Sequence, residues 1–407
     1  MKRKSYREPL WTRKFVLLLI TAIFMYITTF MFIPTLPLFA RNLGVTDPSV
    51  GGIIILVYTI SCLASRAIWG DTADHWERKP VYLVGVIIMA TAAPFFGLVS
   101  SLGGILIIRA LQGIGFSASS TSGSAIAADL VPASRLTEGI GYYTLANTIG
   151  MALGPGLGLN MFQRGSWWLF GAGTLIGIIS LVTGLSLNYE RKQSSVKKSS
   201  SVSQTAPHAK ANSKLDMLFE KSVMPTCLVI LFTIMPYGAI MAYIASYGIN
   251  QGIENIGLYF SMYALSLFVV RLGVGRLSDR YGITAIIIPG IVLMFCGLIV
   301  LGWASNLTIF LISAILFGLG FGVVFPLLQA TGYVFCSPDR RGVASATLFA
   351  TADLAYGLGA LILGIGIKFL GYAPAFGGLA IFTVVALILY ISVLYPRLKK
   401  RRNVSKQ

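Results

Sequence analysis

Apolar residues run along this chain in long unbroken stretches, without the two-residue alternation of a half-buried strand or the narrow stripe of a surface helix. Twelve such stretches start near Phe15, Val50, Val81, Gly104, Gly139, Trp167, Val223, Ile256, Ile283, Leu307, Gly342 and Ala373. Each is about 18 to 26 residues long, enough to cross a hydrocarbon layer of about 30 Å as an α-helix. Lipid offers no partner for backbone N–H and C=O groups, so helices are the expected spanning element. The alternating ten-residue segments of a β-barrel are missing. The first stretch is too long for a signal-peptide core and is followed at once by further spans, so it reads as a membrane helix.

Composition agrees. Of 407 residues, 56% are hydrophobic and 11% charged, against roughly 25% charged in an ordinary soluble protein. Mean hydropathy is +0.78. Soluble enzymes, disordered chains and disulfide-stapled domains are excluded. Cys62, Cys227, Cys296 and Cys336 form no CxxC or metal-ligand spacing, and His75 and His208 stand alone, so no metal site and no cofactor is expected.

The net charge of +18 does not point to nucleic acid, because the bases lie in short gaps between spans and not over one folded face. Their distribution gives orientation instead. Twenty-eight fall in the tails, the middle segment and alternate connections, whereas the opposite side has Arg41, Arg164 and Lys368. Basic residues favour the cytoplasmic side, so both termini are expected there and the number of spans is even. A bacterial cell membrane and a monomer are expected.

Residues 188–222, rich in Ser and Lys, interrupt the pattern and predict a cytoplasmic linker. The chain divides into a tail (1–14), a six-helix bundle (15–187), the linker, a second six-helix bundle (223–395) and a tail (396–407). The bundles repeat one another: Gly52/Gly257, Tyr58/Tyr263, Ser61/Ser266, Arg66/Arg271, Gly70/Gly275, Asp74/Asp279, Gly113/Gly318 and Gly115/Gly320 are each 205 residues apart. Pro132/Pro338 and Arg135/Arg341 follow at 206. A parallel repeat of this kind suits a transporter with a central site between rocking halves.

The connection after span 2 carries Gly70, Asp74, His75, Glu77, Arg78 and Lys79; that after span 8 carries Gly275, Asp279, Arg280 and Gly282. Here the chain resembles the major facilitator superfamily, whose signature is G-x-x-x-D-R/K-x-G-R-R/K. His75 and Glu77 depart from it where a base and a Gly are usual. The resemblance implies an all-α fold of twelve helices in two pseudo-symmetric six-helix bundles, and a cytoplasmic latch made by these loops. Gly70 and Gly275 would let helices approach closely. Asp74 can cap a helix or pair with Arg66 or Arg78. Asp129, at the end of span 4, either joins this network or is a plain helix-end charge; Arg271, Asp279 and Arg280 form the second copy. Ordinary solvated loop charges are the alternative.

Span 4 contains Arg109-Ala-Leu-Gln112-Gly113, resembling the family's R-x-x-x-G pattern. An Arg inside the membrane costs about 2.5–3.5 kcal/mol by insertion scales and keeps its proton. It needs an anionic or carbonyl partner or a wet cavity, unless it snorkels to the surface. Span 5 contains Gly150, Gly154, Pro155, Gly156 and Gly158, resembling the G-x-x-x-G-P-x-x-G element of the drug:proton antiporter branch with its last glycine one residue early. That element marks exporters in the family; close small-residue packing is the other explanation. Asp353, about eleven residues into span 11, is the acid placed deep in the membrane. It is a candidate for taking up the coupling proton together with Arg109, or for binding substrate, or for holding helices together.

Spans 1, 4, 7 and 10 are the expected cavity helices. They offer Tyr26, Thr28, Thr29 and Phe32; Gln112, Ser117 and Ser119; Tyr237, Tyr243 and Tyr247; and Phe325 and Gln329. Asn147 of span 5 is a further candidate. Such side chains suit amphipathic ligands or plain packing. Span 1 lacks a carboxylate, which argues against a dedicated cationic-drug pump; Arg109 tolerates anionic or zwitterionic substrates. The expected activity is export of small amphipathic molecules, drug-like compounds or metabolites, by proton antiport, with the proton gradient as energy source. Uptake or facilitated diffusion on the same fold is the alternative. A membrane enzyme on lipid-linked substrates would need a clustered acid, His or metal site, and no phosphate-binding loop supports ATP-driven pumping.

Overall fold

The computed structural model describes residues 9–75, 78–132, 135–189, 220–337 and 340–404. Most of the expected linker, the start of the N-terminal tail and the last residues of the C-terminal tail lie outside the described residues. Helices α1 (Arg13–Asn42), α2 (Ser49–His75), α3 (Arg78–Gly97), α4 (Leu102–Leu130), α5 (Leu136–Arg164) and α6 (Ser166–Leu185) form the first six spans. After a short 3-10 turn come α7 (Met224–Asn250), α8 (Leu258–Arg271), α9 (Val274–Tyr281), α10 (Ile283–Gly302), α11 (Leu307–Phe335) and α12 (Arg341–Leu370). The last span is built from α13 (Tyr372–Gly378), α14 (Ala380–Leu389), a π turn (Tyr390–Leu394) and α15 (Tyr395–Val404). The fold is all-α and of membrane-spanning length; ten of the twelve segments are apolar enough by themselves to cross a bilayer.

Local chemistry starts and stops these helices. The hydroxyl of Thr12 and the amide oxygen of Asn306 accept hydrogen bonds from the N–H groups of Phe15 (3.2 Å) and Ile309 (3.0 Å), satisfying donors that a helix start leaves open. Gly165 and Gly371, 206 residues apart, both have positive φ (129° and 79°) and reverse the chain between paired helices, a conformation costly for other residues. Span 8 departs from the expected continuous run. Its repeat mate α2 is unbroken over 27 residues, whereas α8 ends after Arg271 and Gly273 donates to Val270 O in a tight turn. Where the first copy has Ile68, the second has Gly273, which holds a helix less well.

The bundle has two distinct ends. The base is the end at which α1 starts and the residues flanking the linker lie; the crown is the opposite end, with residues 43–48, 251–257 and 371. Among the described residues, α1 packs on α5 and α6, α2 on α4, α7 on α12, and α10 on α11; α2 crosses to α12 and α5 to α8. Those last two contacts are seams between the repeated halves, and α1 also meets α7 across them. Exposed Trp11, Trp167, Trp168 and Trp303 lie near the ends, where indole rings suit the membrane–water boundary.

Candidate functional site

On α2, Tyr58, Cys62 and Arg66 recur every four residues and so share one face. That face meets α12, on which Asp353 and Tyr356 are three apart. Arg66 Nη2 donates to Asp353 Oδ2 at 2.8 Å and lies 3.4 Å from Cys62 Sγ. The two charged side chains are 25% and 27% exposed. The ion pair thus bridges the two halves near the base. The expected partner of Arg66, Asp74, has a side chain outside the described residues, as does Asp279. Gly275 is not a close-packing glycine: a Cβ there would meet nothing within 4 Å. Arg280 lies over the ring of Tyr281 at 5.2 Å.

Arg109 projects from α4 into the same neighbourhood and is 1% exposed, so it does not snorkel. Its guanidinium sits 5.1 Å from the centre of the Tyr58 ring, and Nη1 donates to Gln112 Oε1 at 2.9 Å. Gly113 makes this possible, because α4 runs against the α2 backbone at Tyr58 and leaves no room for a Cβ. Its repeat mate Gly318 is similarly close to α8, where a Cβ would lie 2.8 Å from Tyr263 O. Among the described residues, Arg109 Nε and Nη2, Gln112 Nε2 and the hydroxyls of Tyr58, Tyr356 and Ser117 have no hydrogen-bond partner. Unmet buried donors of this kind cost about 1–3 kcal/mol each. A charged fork with free N–H groups beside two tyrosines is suited to an oxyanion.

The base end holds a second ion pair. Arg78 Nη1 donates to Asp129 Oδ2 at 2.7 Å and to Ala125 O at 3.2 Å, and the Tyr189 hydroxyl donates to the same carboxylate. These ties stay within the first half. In the second half, Glu220 accepts from Arg340 and from Ser222 N, and its own N–H donates to Thr347. Burial raises the Glu220 carboxyl, but the Ser222 and Arg340 contacts outweigh that and hold it below the usual value. The glycines of span 5 seat α5 on α1: at Gly154 a Cβ would lie 2.7 Å from Ile27 O and 2.8 Å from Phe30 Cβ, at Gly158 2.5 Å from Met31 O, and at Gly150 2.7 Å from the Tyr26 carbonyl carbon. Pro155 lies among them inside the helix.

The crown is closed. The Tyr243 hydroxyl donates to Pro48 O at 2.7 Å and accepts from Gly52 N, tying α7 to the start of α2. A Cβ on Gly52 would sit 2.5 Å from Leu361 Cα, so α2 and α12 touch there. Lys368 Nζ donates to Asp47 Oδ2 at 2.7 Å. That contact and the Ser49 hydrogen bonds hold the Asp47 carboxyl down at about 2.

The expected cavity residues separate into distinct places. Tyr237 stands at the meeting of the halves: its hydroxyl donates to Met151 Sδ at 3.0 Å, and its ring stacks on Phe321 at 4.6 Å. Tyr243 belongs to the crown seal, not to a cavity. Phe32 is fully buried against Phe96 and Phe170 inside the first half, and Tyr247 is stacked between Tyr372 and Phe376; both are packing residues. Thr28 and Thr29 donate back to Phe24 O and Met25 O of their own helix, and Ser119 does likewise to Gly115 O. Tyr26 packs edge-on to Phe116. Asn147, Phe325 and Gln329 are half-buried. Sequence reasoning passed over Cys62 and Tyr356 as site residues, although Tyr356 lies one helical turn from Asp353, and it counted Lys368 only as an outer base.

Comparison with known proteins bears on the whole chain. A family model described as Major Facilitator Superfamily matches residues 18–359 and 254–407. An uncharacterized MFS-type transporter of Methanocaldococcus jannaschii is 25% identical over 372 residues, 88% of this chain and 93% of its own length. The Multi-drug resistance efflux pump PmrA homolog of Lactococcus lactis is 25% identical over 393 residues, covering 93% and 94%. Among solved structures, a D-xylose-proton symporter superposes with a TM-score of 0.73 over 93% of this chain and 96% of its own, at 15% identity, which speaks to the fold alone.

Proposed function

The chain belongs to the Major Facilitator Superfamily, and from that premise we propose that it exports small amphipathic molecules by proton antiport. It is a multi-pass membrane transporter of small molecules and not an enzyme. In the proposed cycle the halves 15–187 and 223–395, joined by the linker 188–222, rock about the central site. The charge bias puts the termini and the base in the cytoplasm, with the crown outside, in a bacterial cell membrane. A monomer suffices, and the proton gradient replaces any cofactor. Likeness to an efflux pump supports export.

The observation that carries the reading is the Arg66–Asp353 pair joining α2 to α12. A proton on the Asp353 carboxylate removes its charge and weakens the charge-assisted hydrogen bond from Arg66, so the base seam loosens; loss of that proton restores it. Arg109 keeps its charge throughout and holds an anionic or zwitterionic group on the substrate, with Tyr58 and Tyr356 alongside. Tyr237, Gln112 and Asn147 contribute to the same cavity, and Arg78–Asp129 steadies the cytoplasmic latch. Everted vesicles under a pH gradient test this. A panel of dyes, antibiotics and organic acids should include compounds whose addition releases protons, and Asp353→Asn should lose that release while the protein is still made. Coupling unchanged in Asp353→Asn would remove the carboxylate from the mechanism.

A further inference from the structure

The two seams between the halves are built from repeated residues but are not equivalent. Arg66 and Arg271 are repeat mates, 205 residues apart; Asp353 lies beyond the one-residue slip, so its mate, 206 residues earlier, is the uncharged Asn147. In the second seam Arg271 Nη1 donates to the residue next to that mate, Thr148, whose Oγ1 accepts at 3.2 Å. One seam therefore closes with a carboxylate on its arginine, whereas the other offers a neutral hydroxyl to the same cation. Arg271 is exposed, beside a groove of about 380 Å³ between α5 and α8. Its walls are Tyr142, Leu145, Phe268 and Leu272, with Thr144 and Thr148 on the α5 side.

We infer that this groove binds the phosphate of an anionic membrane phospholipid, which supplies the negative charge that the sequence gives the first seam through Asp353. Three observations favour a lipid over a dissolved anion. Phe268 and Leu272 continue into an exposed apolar stripe with Leu265 and Val269, which in a membrane chain faces acyl chains. Arg271 lies at the end of a 14-residue helix, about 21 Å from the crown at 1.5 Å per residue. In a hydrocarbon layer of about 30 Å, that leaves it within snorkelling reach of the headgroups at the base. Immediately beyond, α9 carries Arg280 on Tyr281, the basic and aromatic pairing typical of the membrane boundary.

Native mass spectrometry of the full chain in detergent tests the site, with phosphatidylglycerol, phosphatidylcholine of the same acyl chains, and glycerol 3-phosphate as probes. The wild type should hold one phosphatidylglycerol about tenfold more tightly than phosphatidylcholine, the effect of about 1.4 kcal/mol. Arg271→Gln should abolish that preference. So should Thr148→Asp, which leaves the arginine in place and gives it the missing carboxylate, provided thermal unfolding shows the protein folded. A preference that persists in Arg271→Gln, or in folded Thr148→Asp, overturns the inference. Displacement of phosphatidylglycerol by glycerol 3-phosphate at equal concentration overturns it too, since the site would then belong to a soluble phosphate.

Discussion

Replacing Asp353 by Asn should open the base seam, and the protein carries its own reporter of that event. Breaking a fully buried ion pair costs about 3–5 kcal/mol, whereas an exposed pair is worth about 0–1 kcal/mol. Arg66 and Asp353 are one-quarter exposed and 2.8 Å apart, so we place the loss between those limits, at about 1–3 kcal/mol. That shifts the open-to-closed ratio by about 5- to 150-fold. Cys62 lies on the same face of α2, is 2% exposed and touches Arg66. With Cys227, Cys296 and Cys336 replaced by Ser, its labelling rate with a neutral maleimide should rise by that factor. Arg66→Gln breaks the pair from the other side while changing the charge beside the thiol in the opposite sense. Both variants should therefore label faster, and the double variant no faster than either. Opposite changes in the two single variants would mean that the thiol senses charge alone, and would refute an opening of the seam.

Gly154→Ala should destabilise the protein by about 1–3 kcal/mol through overpacking of α5 on α1, while Gly141→Ala, where a Cβ meets nothing within 4 Å, should leave thermal unfolding unchanged. Arg109→Met should end transport of carboxylate-bearing substrates yet raise the unfolding temperature, because it removes a buried cation without a counter-charge; a fall in stability together with retained transport would contradict the site. Tyr243→Phe deletes two hydrogen bonds across the crown and should raise labelling of Ser49→Cys from that side. The Asp47–Lys368 tie has a depressed carboxyl, so its contribution is present above the ordinary value near 4 and is lost only as pH falls through about 2. Crown labelling, divided by the labelling of the same thiol in the unfolded chain at each pH to remove the thiolate fraction, should therefore be flat from pH 8 to 5, and Lys368→Met should move the onset of acid loosening upward.

The family and the helical character were readable in the residues because both rest on one-dimensional signals. Lipid demands about twenty apolar residues per crossing, and the internal repeat preserves polar positions at a fixed offset. Gly113 and Gly318 already stood out as a repeated pair, though not as the contacts that bring α4 and α11 against α2 and α8. Span 8 looked like its continuous mate and was not, because a single Gly at position 273 changes where the helix stops.

Which residues face one another emerged only in three dimensions. Arg66 had a plausible partner eight positions away in Asp74, yet it reaches Asp353, 287 residues along the chain. Tyr243, Tyr247 and Phe32 carry the right chemistry for a cavity, but helix rotation and depth place one in the crown seal and two in packing. Hydropathy reports that a residue lies within the membrane; it carries no information about azimuth when every face of a helix is apolar. The order of residues alone therefore dictates how many spans there are, their helical nature and their duplication. The crossing of α2 over α12, and with it the pairing of two charges from opposite halves, came from packing of those helices against each other.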